Sequence, residues 1–236
     1  MPKKEIIKLS SLKQGGDKPG TGQFLGQHYK ETNTDQWPEI FVSSYMRPMQ
    51  TLRGILHGMD GAIVGKPKLR EDIRLIEKFF GATNFLEHPD LVPGLDLDFA
   101  KNLQRLSKAV HEKDPFVTPN LLGESSKNTM NNVDHFKHTI QTDIKEGKKD
   151  FLCVNHGAII QGFVMSWFHL PMSAKHKIDN PNNGDVIAIE GTPKNWTVRK
   201  IYDGKEMRPV NEPVIGHIKL LDVDDLPPLP GFLLEK

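Results

Sequence analysis

Two short polar runs in this chain each stand where an apolar stretch gives way to helix-like periodicity. Asn155-His156-Gly157 breaks the apolar run Phe151-Leu152-Cys153-Val154, and an apolar helix-like segment follows from Ala158. Ser43-Ser44-Tyr45-Met46-Arg47 follows Glu39–Val42 in the same way and also precedes a helical pattern. Open α/β sheets bind ligands at the carboxyl ends of their buried strands, where the free N–H groups of a following helix point at the site. A lone histidine there serves equally well as a strand cap. Two such runs in one chain point instead to a shared ligand site.

The elements that must carry these runs follow from spacing. Met49, Leu52, Ile55 and Leu56 recur at helical steps from Arg47 to about His57, and Val133, Phe136, Ile140 and Ile144 do so from about Asn128 to Lys145. A helix with Phe24, Leu25 and His28 on one side is expected over Gln23–Glu31, and another over Leu97–Val110. Glu5–Leu9 reads as a short strand. Asp185–Glu190 and Trp196–Tyr202 read as strands that pair as an antiparallel edge. Alternating strands and helices imply a largely parallel sheet covered on both faces. No linker separates two units, so one domain over 1–236 is expected, with 82–122 as an insertion or a lid.

Composition narrows the function classes. The 31 basic and 30 acidic residues nearly cancel, so nothing global attracts nucleic acid or an anionic membrane, and an anion must be held by a local cluster. Cys153 is the single cysteine, which excludes an intrachain disulfide and fits a reducing compartment; inside an apolar strand it reads as a packing thiol. The N-terminus has no apolar signal core, and Ala158–Leu170 is too short to span a bilayer, so a cytoplasmic location is expected.

Further signatures now fall in order. Ser43-Ser44-Tyr45-Met46-Arg47-Pro48-Met49-Gln50-Thr51 is followed by Leu75-Ile76-Glu77-Lys78-Phe79-Phe80-Gly81, by Gly123-Glu124-Ser125, by Asn155-His156-Gly157 and by Asn183-Gly184-Asp185-Val186. Together they resemble the S-S/P-x-x-R-x-x-Q-T, L-x-E-x-x-F-G, G-E-S, S-H-G and N-G/C-S-V segments of the histidine phosphatase (phosphoglycerate mutase-like) superfamily, over roughly residues 39–190. The resemblance implies a three-layer α/β/α sandwich with a mostly parallel central sheet. It implies that Arg47 and His156 hold a phosphoryl group, a planar guanidinium being suited to two parallel bonds. Ser44, Asn155 and Gly157 complete the implied phosphate pocket, and Glu77 is the implied general acid. Glu71 competes for that role, but Phe80 and Gly81 stand at the family spacing only for Glu77. Ser125 suits a helix N-cap, with Glu124 on the pocket wall. The implied partner is a small phosphorylated substrate or ligand, with no cofactor and no metal. Asp134-His135 with His138, and Asp222-Asp224-Asp225, offer carboxylates and imidazoles, but they read as solvated faces. Substrate identity and oligomeric state are left open.

The chain departs from the family at its start. The family's first strand ends in R-H-G, whose histidine is the nucleophile; here the nearest counterpart is Lys13-Gln14-Gly15, and a glutamine amide cannot form a phosphoramidate. An alternative alignment sets Leu9-Ser10 or the following glycines on a later family segment and leaves no first strand. His28 lies too near Ser43 for the intervening helix, and Asn132 stands where the family carries arginine. Two readings stay open: an active phosphomonoester phosphatase or mutase, and a catalytically impaired member that binds a phosphorylated ligand or regulates.

Overall fold

The computed structural model describes residues 5–10, 20–32, 36–61, 63–78, 94, 96–113, 123–192 and 195–216. Expectations for Lys13-Gln14-Gly15, for Phe80 and Gly81, for 82–93 and 114–122, and for the Asp222-Asp224-Asp225 run lie outside these residues.

Strands β1 (Glu5–Ser10), β2 (Glu39–Val42), β3 (Leu69–Glu71), β4 (Asp150–Val154), β5 (Val186–Thr192), β6 (Asn195–Asp203) and β7 (Arg208–Pro213) form one sheet in the order β3-β2-β4-β1-β5-β6-β7. The first four run parallel, and β5, β6 and β7 add antiparallel pairs. Helices α1 (Thr21–Glu31), α2 (Met46–Gly58), α4 (Ser126–Lys145) and α5 (Gly157–Trp167) supply the other layers, and α3 (Leu97–Lys113) is a further helix whose Phe99 and Leu106 are exposed. Among the described residues no helix is long and apolar enough to cross a membrane.

Strand alternation sorts the core into two faces. Phe41, Phe151, Cys153 and Ile187 pack against Val133, Phe136 and Ile140 of α4 and Phe163 of α5. Their neighbours Ile40, Val42, Leu152, Val154 and Ala188 pack on the other side against Leu25 and Tyr29 of α1 and Leu52 and Ile55 of α2. The strands of β4 and β2 are continuous apolar runs because helices cover both faces, which makes the fold a three-layer α/β/α sandwich. Cys153 is fully buried, and burial pushes its thiol well above the usual range, which suits packing and not nucleophilic attack. Helices α1 and α2 touch backbone to backbone: a Cβ on Gly58 would lie 2.6 Å from the Gln23 nitrogen, and one on Gly22 would lie 2.7 Å from the Ile55 carbonyl oxygen.

The strand expected at Glu5–Leu9 is present as β1, between β4 and β5, so the alternative alignment lacking a first strand does not describe this chain. The far side of the sheet differs from the expectation. The β5–β6 pair is antiparallel as expected, but β5 lies inside the sheet and the edge belongs to β7. Pro209 and Pro213 hide β7 from pattern reading; proline lacks the ladder N–H and is tolerated at an edge. The mixed charged and apolar stretch after Pro67 becomes β3 and a 3₁₀ turn, Ile73–Leu75.

Candidate active site

Strands β2 and β4 are parallel neighbours, and their last residues, Val42 and Val154, lie opposite one another. One residue further, the Ser43 N–H donates to the Val154 carbonyl at 3.0 Å, so both chains leave the sheet together. Tyr45 then caps α2 and His156 caps α5, which sets two helix N-termini side by side at the carboxyl edge. Pro48 falls in the first turn of α2, where its missing N–H leaves no helix bond unmade. The loop from Asn180 presses on the start of α5, and a Cβ at Gly157 would meet the Asn180 Oδ1 at 2.8 Å.

A third segment reaches the same edge from β3. The Asp72 N–H donates to the Val42 carbonyl at 2.9 Å, and the Asp72 carboxylate accepts from the Arg74 backbone and Nε, both at 2.9 Å. Arg74 reaches across to α4, donating to the His135 carbonyl and the Thr139 hydroxyl at 2.9 Å each, while Leu75 is fully buried in the core. The clamp and the buried leucine leave Glu77 facing the ends of β2 and β4.

There the three groups meet. Arg47 Nη2 donates to Glu77 Oε2, and His156 Nδ1 stands 3.3 Å from that same oxygen. His156 Nε2 lies 3.2 Å from the Ser43 hydroxyl, and the Tyr45 ring meets the imidazole edge-on at 5.4 Å. With a carboxylate before Nδ1, that nitrogen is the donor, so in a neutral ring Nε2 accepts from Ser43. The hydrogen bond from His156, aided by the nearby Arg47 charge, outweighs burial and holds the Glu77 carboxyl below its usual value. Glu77 is therefore ionised at neutral pH in this arrangement, and one of its oxygens sits between a guanidinium and an imidazole as an anionic ligand would.

Arg47, Glu77 and His156 line a cleft of about 230 Å³ together with Thr51, Asn155, Gly157 and Asn183. Asn155 is 2% exposed, and both its side-chain amide atoms lack a partner among the described residues. An unmet buried amide in a cleft is costly unless a ligand or a neighbouring chain segment completes it. A guanidinium, an imidazole N–H, an unmet amide and two helix N-termini facing one space can bind a compact oxyanion.

Of the expected site residues, Arg47, Glu77, Asn155, His156 and Gly157 come together here. Ser44 does not line the cleft; its neighbour Ser43 makes the bond to His156, because the parallel ladder continues one residue past Val42 and turns that side chain inward. Glu71 stays exposed on β3. Ser125 caps α4, accepting from the Asn128 N–H at 3.2 Å. His28 lies on α1 with its ring 6.0 Å from Phe24, and His135 is exposed on α4. Sequence reading passed over Ser43, Tyr45 and Asn183 as site residues, although all three lie in the quoted segments. Ser10 pairs with Val154 at the end of β1, and the sequence holds no histidine before His28.

Comparison with known proteins accords with this arrangement. The sequence matches the profile of the Histidine phosphatase superfamily (branch 1) over residues 22–204. Among solved structures, Bacillus stearothermophilus YhfR is similar at 14% identity and a TM-score of 0.57, covering 86% of this chain and 99% of its own. A mycobacterial glucosyl-3-phosphoglycerate phosphatase in complex with inorganic phosphate is similar at 14% identity and 0.54, covering 85% and 96%. The phosphoglycerate mutase of Bacillus anthracis str. Sterne follows at 17% identity and 0.53, covering 86% and 96%. At such identities the likeness is one of fold. No curated protein matches the sequence significantly.

Proposed function

The chain belongs to the histidine phosphatase superfamily, and from that premise we propose that its cleft binds a small phosphomonoester and hydrolyses it. The observation that carries this reading is the shared Glu77 oxygen between Arg47 and His156. A phosphoryl oxygen has the same needs and brings more charge. On binding, Arg47 turns from Glu77 to the phosphoryl group, the free N–H groups of α2 and α5 add to its field, and His156 donates from Nδ1. The Asn155 amide meets a third oxygen. The incoming dianion removes the partners that hold Glu77 ionised and places like charge beside it. Both effects raise its pKa, so Glu77 takes up a proton and becomes a donor to the leaving oxygen.

Phosphoryl transfer passes through a loose transition state that asks for charge stabilisation and leaving-group protonation more than for a strong nucleophile. Without a histidine at the end of β1, water supplies the attacking oxygen. The phosphorus–oxygen bond to the leaving group breaks as the Glu77 proton moves to that oxygen. The bond to water forms, and a water proton returns to Glu77.

A second reading, a member that binds its phosphorylated ligand and does not turn it over, is favoured by one observation: no histidine precedes His28, and a covalent phosphohistidine cannot form from β1. One experiment separates the two. Hydrolysis of an aryl phosphate by the purified chain, lost by about 100-fold or more in Glu77→Gln and His156→Ala, supports the phosphatase. No turnover by the wild type, with vanadate raising its melting temperature but not that of Arg47→Ala, supports binding alone. Neither turnover nor a vanadate shift overturns both.

A further inference from the structure

The segment that carries Glu77 has little regular structure to hold it. Strand β3 is three residues long at the edge of the sheet, and the 3₁₀ turn Ile73–Leu75 that follows is a single turn. A turn that short does not sustain itself. Ile73 is exposed, so the turn is anchored by Leu75 in the core and by Arg74. Arg74 stands three residues ahead of Glu77 and could serve either as a further cation for the phosphoryl group or as a brace.

Its donors decide between the two. Nε and Nη2 donate to the Asp72 carboxylate, and Nη1 donates to the His135 carbonyl and the Thr139 hydroxyl. Four of the five guanidinium N–H groups are thus bonded within the protein, and Asp72 balances the charge. The guanidinium also lies 5.5 Å from the centroid of the Phe136 ring, and Arg74 does not line the cleft. An anion would have to break this set of bonds to reach it, so the brace is the better reading. The bonds join three elements. Asp72 is tied to the end of β2 through the Val42 carbonyl, while His135 and Thr139 belong to α4, which Val133, Phe136 and Ile140 fix on the sheet.

We infer that Arg74 is a positioning residue for proton transfer by Glu77: its bridge to α4 holds the carboxyl where the leaving oxygen arrives. This rests on the reading of Glu77 as the general acid. Proton delivery depends closely on placement, and a displacement of about 1 Å can cost on the order of 100-fold in rate. The need for the proton depends in turn on the leaving group, since a stable anion departs without one. Steady-state hydrolysis of phenyl phosphate and of 2,4-dinitrophenyl phosphate by the full chain separates the two demands. Arg74→Met, which keeps an apolar stem, lowers kcat for phenyl phosphate about tenfold or more and for the dinitrophenyl ester less than about threefold, with both KM values little changed. Thr139→Val loosens only the α4 end of the bridge, keeps the Arg74–Asp72 pair, and gives the same split at about threefold, so it decides the matter if Arg74→Met does not fold. Glu77→Gln shows the largest split of the three. A wild-type ratio of the two kcat values in the folded Arg74 and Thr139 variants, beside a split in Glu77→Gln, overturns the positioning role while the phosphatase reading stands. No split in Glu77→Gln, or no turnover of either ester by the wild type, overturns the general-acid reading and the inference with it.

Discussion

The parallel and antiparallel halves of the sheet both bury charged residues, and they handle them differently. In the antiparallel half each buried carboxylate closes a nearby turn or strand pair. Asp203 accepts from the Lys205 and Glu206 N–H groups at 2.9 Å and from Lys200 at 3.1 Å. Asp185 accepts from the Gly204 and Asn182 N–H groups at 2.8 Å each, and Glu190 pairs with Arg199 at 2.9 Å. The partners lie within 19 residues along the chain. In the parallel half, Arg47 meets Glu77 across 30 residues and Ser43 meets His156 across 113. The Asn155 amide beside them has no described partner. Local pairing completes itself on folding; the long-range cluster at the parallel edge leaves donors for something else. A buried charge is thus a poor marker of function until its partners are known.

If that contrast holds, binding and stability separate. Arg47→Ala weakens inorganic phosphate binding by about 10- to 100-fold, the range expected for a charge-assisted pair, with little change in melting temperature because the side chain is 71% exposed. A phosphate affinity equal to the wild type's would break the comparison at its functional end. Asp185→Ala strands the buried Gly204 N–H and loses the bond from Asn182, lowering stability by about 2 kcal/mol in denaturant unfolding and leaving the phosphate dissociation constant of the folded protein unchanged. A parallel loss of affinity would place Asp185 in the site instead. The smallest effect is that of pH on Glu77. Its carboxyl is held below the usual value near 4.5, so its contribution to stability is present above that value and is lost as pH falls through the folded one. The melting temperature of Glu77→Gln therefore falls less steeply with acid below about pH 4.5 than that of the wild type.

Much of this was legible in the sequence, for physical reasons that differ by element. The helix α2 and strand β4 were readable because burial imposes a period or a continuous apolar run. Arg47, Glu77 and His156 were readable because each stands in a spaced motif. Ser43 was passed over for Ser44 because the two are chemically identical, and only the ladder bond from Ser43 to Val154 turns one of them inward. Strand β7 was passed over because its prolines argue against a strand everywhere except at an edge.

By itself the amino-acid order settles the alternation of elements, the order of the motifs and the want of a histidine ahead of His28, since these depend only on residue type and spacing. The tertiary structure alone decides that one Glu77 oxygen serves both Arg47 and His156, and that Ser43 and not Ser44 meets the imidazole. Hydrogen bonds and ion pairs act over a few ångströms and in fixed directions. The groups that make them here are delivered by strand register and helix docking between segments far apart in the chain, and periodicity carries no record of that.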